Sequence, residues 1–288
     1  MKGTIIKHVR GIYYVNTEAG IITCKARGLF REIDISPIVG DKVEIRISEE
    51  DNSGYIEKVY PRSSRMIRPQ VANVDMALIV FSLINPDINT YLLDKYLIMT
   101  EYLNIDSCIL FTKEDITDNE KVKKYKDIYE NSGYKVFVTG IDNDLNEIEE
   151  MLRGKITALA GPSGVGKTSL INRLIPTLDL ETSAISTKTR RGRHTTRHVE
   201  LIPIDNDTYI LDTPGFSVLD LDFIEDESGL AGSFREFRKF NSQCQFNNCK
   251  HINEPKCGIK DNLGTEIEQS RYDSYLQFCE EINENRRY

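Results

Sequence analysis

No apolar run in this 288-residue sequence is longer than a strand. The longest, such as 77–81 and 156–160, fall far short of the roughly 20 residues that a membrane helix needs. The opening residues, MKGTIIKHVRG, contain no apolar signal core. Membrane insertion and secretion are therefore not expected, and the sequence reads as a soluble cytoplasmic chain with no membrane partner. Cysteine is too sparse for a disulfide-stapled domain: there are six, at 24, 108, 244, 249, 257 and 279. Positive charge is in deficit, with 37 Lys and Arg against 45 Asp and Glu, a formal net charge of −8. That argues against a chain that coats nucleic acid nonspecifically, although it leaves room for a local basic face. Tryptophan is absent, which excludes nothing about function.

What is present is ordinary globular usage, 40% hydrophobic and 28% charged, in a length that suits two or three domains. Residues 1–68 hold five short β-branched or aromatic runs, at 4–8, 12–16, 20–27, 42–47 and 55–60, broken by Gly, Asn, Asp and Pro. Five strands in so short a segment predict a small β-barrel, with the OB-fold as the leading form. Residues 1–70 carry 12 Lys and Arg against 9 Asp and Glu, whereas the rest carries 25 against 36. A basic, proline-punctuated stretch around Pro61, Arg62, Arg65, Arg68 and Pro69 reads as a linker, and its arginines could face RNA. Beyond it, strands (76–82, 107–111, 135–138, 155–160, 208–211) alternate with helical segments (91–103, 120–131, 169–174), which predicts a parallel sheet covered by helices. From about residue 221 the chain turns acidic and helical, becomes irregular around a Cys/His cluster, and ends in a charged helix over roughly 265–285.

Gly161-Pro162-Ser163-Gly164-Val165-Gly166-Lys167-Thr168 fits the G-x-x-x-x-G-K-[ST] phosphate loop in full, between a strand and a helix. Its glycines let backbone N–H groups converge on phosphate oxygens. Lys167 would reach the β- and γ-phosphates, and Thr168 would ligate Mg²⁺. Asp212-Thr213-Pro214-Gly215 lies 44 residues after Thr168 at the end of an apolar strand. Asp212 there can hold Mg²⁺ directly or through water, and Gly215 can offer its N–H to the γ-phosphate. Thr112-Lys113-Glu114-Asp115 follows another strand and resembles the guanine-reading N-K-x-D, with Thr for Asn. The Asp115 carboxylate could accept from guanine N1–H and the 2-amino group, a pair that adenine lacks, while Lys113 could lie along the base. Residues 138–140 weakly resemble the backbone loop that meets guanine O6. The nucleotide-binding set, for GTP or GDP with Mg²⁺, is Thr112, Lys113, Glu114, Asp115, Gly161, Pro162, Ser163, Gly164, Val165, Gly166, Lys167, Thr168, Ser169, Asp212 and Gly215. Cys244, Cys249, His251 and Cys257 supply three thiolates and one imidazole, a closed tetrahedral set for one structural Zn²⁺.

The order of these parts is unusual. The base-reading motif precedes the phosphate loop, which implies a circularly permuted GTPase domain. With Gly192-Arg193-His194-Thr195-Thr196 and the Cys/His cluster, the sequence resembles the RsgA family of bacterial circularly permuted GTPases over essentially its whole length. The resemblance implies a multidomain α/β protein: an rRNA-binding OB-fold over 1–68, a permuted GTPase domain over 69–220, and a helical zinc-binding domain over 221–288. It also implies GTP hydrolysis stimulated by the 30S ribosomal subunit, binding to 16S rRNA near the decoding region, and a role in late small-subunit maturation. The chain is expected to act as a monomer. Thr112 in place of the commonest Asn changes one contact near the base, and Gly164 stands where potassium-activated GTPases carry Asn.

Phe216 occupies the position where Ras-type enzymes orient water with Gln, and it can neither donate nor accept. The missing polar group must come from elsewhere. His194, in the basic segment 188–197 where switch I belongs, is the candidate, and the family resemblance also points to this His as catalytic. Lys167 and Thr195 complete the catalytic set. Thr195, in preference to Thr196, would close on Mg²⁺ and the γ-phosphate. Two other functions compete: a passive RNA-binding module whose nucleotide site only sets conformation, and a P-loop ATPase or kinase. Asp115 weighs against the ATPase or kinase.

Overall fold

The computed structural model describes every residue except 28–29, 31–35, 49–52, 67–68, 179–198, 213–223, 225–226 and 286–288. The chain divides into two compact units, Met1–Ala77 with Leu145–Ala160 and Lys167–Ser217, and Leu78–Asp144 with Gly161–Gly166 and Val218–Tyr288.

The first unit opens with β1 (Lys2–Val9), β2 (Ile12–Thr17), β3 (Gly20–Ala26), β4 (Lys42–Ile47) and β5 (Gly54–Val59). They close into a barrel in the order β1-β2-β3-β5-β4, the predicted five-stranded form. Strand pairing is antiparallel except between β3 and β5. Alternation sets the faces: Val43 and Ile45 point inward to Ile5, Val15, Cys24 and Ile56, while Lys42, Glu44 and Arg46 point out. The stretch read as a linker is instead pinned to the barrel. β6 (Arg65–Met66) and β7 (Val71–Ala72) form a small hairpin. Arg62 reaches back to the fully buried Asp41 through two hydrogen bonds of 2.7 and 2.8 Å. Asn73 accepts from the Ser63 N–H and donates to the Gly40 carbonyl, each at 2.8 Å. A buried carboxylate needs a paired cation, so Arg62 is held for structure rather than left for RNA.

β8 (Met76–Ser82), buried throughout, leads into the second unit. There α1 (Thr90–Tyr102), β9 (Asp106–Thr112), α2 (Asn119–Asn131) and β10 (Lys135–Thr139) alternate as predicted. The strands lie in the order β10-β9-β8, with β9 and β10 parallel. The Asn89 side chain caps α1 by accepting from the Leu92 N–H.

The chain then returns to the first unit through α3 (Asn146–Leu152), β11 (Ile156–Ala160), α4 (Lys167–Leu174), β12 (Leu201–Pro203) and β13 (Tyr209–Asp212). β11 and β13 are parallel, and β12 is antiparallel to β13. The sequence reading missed β12, because three residues ending in proline show no periodicity. The β12–β13 hairpin carries one side of the barrel: Lys7 pairs with Glu200 at 2.7 Å, and the buried Asn16 amide donates to the Tyr209 hydroxyl at 3.0 Å.

The second unit ends in α5 (Glu227–Gly232), α6 (Gly258–Asp261) and α7 (Gln269–Asn285) around Phe234, Phe237, Tyr275 and Phe278. α7 starts later than predicted, because a turn at Gly264, with positive φ, and a bridge between Leu263 and Ile267 precede it. Among the described residues no helix is long and apolar enough to cross a membrane.

Candidate nucleotide site and metal cluster

β9 ends at Thr112, beside Thr139 of β10, and this places the turn 113–116 at the carboxyl end of the sheet. Ligands of open α/β sheets bind at that end. The Thr112 hydroxyl donates to the Val165 carbonyl at 2.6 Å. The threonine thus makes a link to the loop 161–166. Lys113 adopts a left-handed backbone (φ 65°), and its ammonium donates to the Gly164 carbonyl at 3.1 Å and to the Asn85 carbonyl. Two residues of the 112–115 turn therefore hold the loop 161–166, across some 50 residues of sequence.

Asp115 sits in a short 3₁₀ turn, with one carboxylate oxygen accepting the Ile141 N–H at 3.2 Å. A Cβ at Gly140 would stand 2.9 Å from that oxygen, so a larger residue there would push the Asp115 carboxylate aside. Glu114 accepts from the Asn143 amide at 2.9 Å, which fixes the same turn from its other side. A carboxylate held by one oxygen keeps lone pairs for two adjacent donors, the arrangement that a guanine edge offers. Asn85 and Asn143 escaped the sequence reading. Their contacts join segments some 30 residues apart, and no local pattern marks them.

Within the loop, Gly161, Gly164 and Gly166 all have positive φ. At Gly161 a Cβ would fall 2.1 Å from the Val80 carbonyl. Pro162 is half-buried, Ser163 and Gly164 are exposed, and Val165 is buried as an anchor. Lys167, Thr168 and Ser169 open α4 in the first unit, the first two half-buried and Ser169 exposed. Asp212 ends β13 opposite Leu159, and its side chain lies outside the described residues, as do His194, Thr195 and Gly215.

The ligand atoms of Cys244, Cys249, His251 and Cys257 all lie within 4.8 Å of one another. His251 Nδ1 stands 3.6 Å from Cys244 Sγ and 3.3 Å from Cys257 Sγ. Surrounding groups fix this loop: the Tyr272 hydroxyl donates to the His251 carbonyl and the Tyr275 hydroxyl to the Lys250 carbonyl, each at 2.6 Å. The Glu254 carboxylate accepts the N–H groups of Lys250, Ile252 and Asn253. Burial, with the neighbouring thiols, pushes the Cys249 thiol up to about 12, and burial holds the His251 imidazole below its usual range. A neutral imidazole suits a metal. Thiols this close and this buried become thiolates only when a cation compensates them, so the donor set fits Zn²⁺ and leaves no open position.

A family model described as RsgA GTPase matches residues 59–222, and one described as RsgA N-terminal domain matches residues 2–56. The chain is 46% identical over 291 residues to the small ribosomal subunit biogenesis GTPase RsgA of Alkaliphilus metalliredigens, covering 100% of this chain and 99% of that one. It is 43% identical over 303 residues to the protein of the same name from Agathobacter rectalis, covering 100% of both. Among solved structures, YjeQ from Thermotoga maritima matches with a TM-score of 0.83 and 34% identity, covering 98% of each chain. YloQ, described as a circularly permuted GTPase, matches with a TM-score of 0.79 and 37% identity, covering 99% of this chain and 95% of that one.

Proposed function

The chain belongs to the RsgA family of circularly permuted GTPases, and on that premise we propose that it hydrolyses GTP when stimulated by the 30S ribosomal subunit, in late maturation of that subunit in the cytoplasm. One observation carries the nucleotide assignment to this chain's own residues. Thr112 and Lys113 hold Val165 and Gly164, so a guanine-reading turn and a phosphate loop form one assembly. In this reading residues 1–68 and 221–288 flank a GTPase domain over 69–220, and the monomer binds 16S rRNA near the decoding region.

Asp115 accepts guanine N1–H and the 2-amino group, Lys113 lines the base, and Glu114 keeps the turn in place. Backbone N–H groups of Gly161 to Gly166 receive the phosphates, and the N-terminus of α4, with Thr168 and Ser169, completes the cradle. The Lys167 ammonium neutralises charge developing on the β- and γ-phosphate oxygens. Thr168, Thr195 and Asp212 would hold Mg²⁺, which supplies charge neutralisation at the phosphates when bound, and Gly215 would donate to the γ-phosphate. With Phe216 unable to orient water, His194 takes that role once the ribosomal subunit has seated its segment. Zn²⁺ at Cys244, Cys249, His251 and Cys257 is structural.

GTP turnover measured with 30S subunits, with 50S subunits and alone tests the reading. Acceleration by 30S alone is the expected result, and equal rates in all three would refute it. The variant His194→Ala should lose most of the stimulated turnover, by about 100-fold or more for a lost proton-handling group, and keep its GTP affinity. Undiminished stimulated turnover would remove His194 from the mechanism.

A further inference from the structure

In sequence the C-terminal region follows Asp212 and Gly215, the residues read as facing Mg²⁺ and the γ-phosphate. In space its described residues grip the elements that carry the 112–115 turn. Tyr91, Asp94, Lys95, Ile98 and Glu101 share one face of α1, at the spacing of a helix stripe. The Glu281 carboxylate of α7 accepts from the Tyr91 hydroxyl and the Lys95 ammonium. The buried Arg271, also of α7, donates to Asp94, which accepts the Tyr129 hydroxyl of α2 as well. Ile98 belongs to the same apolar core as Phe234, Tyr275 and Phe278. Glu101, whose side chain is only 7% exposed, accepts from Arg235 and, at 2.6 Å, from Arg238.

Arg235 reaches further than Glu101. Its guanidinium also donates to the Gly133 carbonyl at 3.0 Å and to the Asp106 carboxylate at 3.1 Å, and it lies 4.3 Å from the centroid of the Tyr134 ring. Asp106 begins β9, and Gly133 and Tyr134 lead into β10. One planar fork therefore joins the starts of two strands to the end of α1. The pair with the exposed Asp106 is worth little by itself. The nearly buried Glu101 fixes the guanidinium, however, so its remaining N–H groups are already placed. The far ends of these strands are Thr112, which leads into the 112–115 turn, and Thr139, which leads into Gly140 and Ile141. Asp115 can meet the Ile141 N–H only while β9 and β10 keep their register. β10 is an edge strand with a single ladder, to β9, so that register depends on what holds its start. The opposite face of α1 reaches the loop 161–166: Tyr96, edge-on to Phe81, is hydrogen-bonded to the Gly161 backbone.

We propose that Arg235, with Arg271 behind it, is a positioning residue for guanine recognition, so that the C-terminal region sets how long a guanine nucleotide stays bound. Neither arginine touches the nucleotide. Arg235 fixes the strands that present Asp115 and Ile141, and Arg271 ties α1 to α2 through Asp94 and Tyr129. A base reader works only when its acceptor is held in place, and a small slip of β10 along β9 spoils it without disturbing the residues themselves. This role rests on the guanine reading of Asp115 and needs nothing from the ribosomal one.

The full-length protein is loaded with N-methylanthraniloyl-GDP and chased with excess GDP, and fluorescence follows the release. Competition between GTP and inosine triphosphate, which lacks the 2-amino group, reports on the Asp115 contact separately. Arg235→Ala should speed release by about tenfold, within the usual range for coupling between separated sites, and should lower the preference for GTP over inosine triphosphate. Arg235→Lys keeps a cation for Glu101 but cannot span to Asp106 and Gly133. It should fall between the two, and it carries the test if the alanine variant does not fold. Ile259→Val thins the C-terminal core by one methylene without removing any of these ion pairs, and should release at the wild-type rate. Folded Arg235 variants with wild-type release and wild-type base preference overturn the positioning role. Equal acceleration in Ile259→Val also overturns it, in favour of a general loosening of the C-terminal core. A wild-type chain that retains no guanine nucleotide, or that does not distinguish the two bases, refutes the reading of Asp115 and the positioning role with it.

Discussion

In the barrel, Val43 and Ile45 of β4 enter the core and alternate with the outward Lys42, Glu44 and Arg46. Around the Cys/His cluster no such alternation exists, and the buried centre contains Cys249, Cys257, His251 and, nearby, the fully buried charges Arg271, Asp94 and Glu236. Arg271 donates to Asp94 and, at 2.7 Å, to Glu236, and Tyr129 donates to Asp94 at 3.0 Å. Burial opposes the Arg271 charge, and the two carboxylates outweigh it, so the guanidinium stays ionised. Paired strands satisfy their backbone groups in the ladder and bury one apolar face, so few of their side chains need polar compensation. A short irregular segment has too little apolar surface, and polar groups must then be compensated one by one, by metal or by ion pair.

Three changes test this contrast, in descending size. On the zinc reading proposed for this cluster, stripping the metal with a strong chelator, or Cys257→Ser, should withdraw an apparent binding energy on the order of 10 kcal/mol. The C-terminal region should lose amide-exchange protection, while the barrel strands keep theirs. Uniform loss across both would show that one cooperative unit, not two kinds of core, is present. The same affinity should weaken as pH falls. The thiols must shed protons to bind metal, and Cys249 holds its proton up to about 12 without one, so acidification favours the metal-free form. A competition titration with a zinc indicator at several pH values measures it.

Next, Arg271→Ala leaves Asp94 and Glu236 buried without a cation and should cost about 3–5 kcal/mol, read as a lower urea midpoint for the C-terminal helices. Loss of less than about 1 kcal/mol would mean that water reaches the site. Smallest is Ile56→Val in the barrel. Deleting one buried methylene should cost about 1 kcal/mol, with zinc content unchanged.

The sites were legible unevenly, for physical reasons. The phosphate loop, the Thr112–Asp115 turn and the four metal-ligand candidates are each contiguous or nearly so, and their residue types have few other uses at that spacing. The barrel was legible because five short β-branched or aromatic runs are each broken by Gly, Asn, Asp or Pro. Asn85 under Lys113, Gly140 against Asp115 and the Arg62–Asp41 pair were not, since each joins segments 20 to 30 residues apart through a single contact. The linker reading around Arg62 failed for that reason: proline and arginine composition resembles a tether until the buried Asp41 partner is located.

By itself the sequence determined the chemistry on offer: a glycine-rich cradle with Lys167 and Thr168, a carboxylate at Asp115 suited to guanine, and three thiols with an imidazole. Those depend on residue identity and short spacing, which no packing can change. Only the tertiary structure decided that Thr112 and Lys113 grip Val165 and Gly164, and that Arg271 is buried between two acids. Such facts arise when distant segments are brought together, and the burial that joins them fixes which polar groups must find a partner and which remain for one outside the chain.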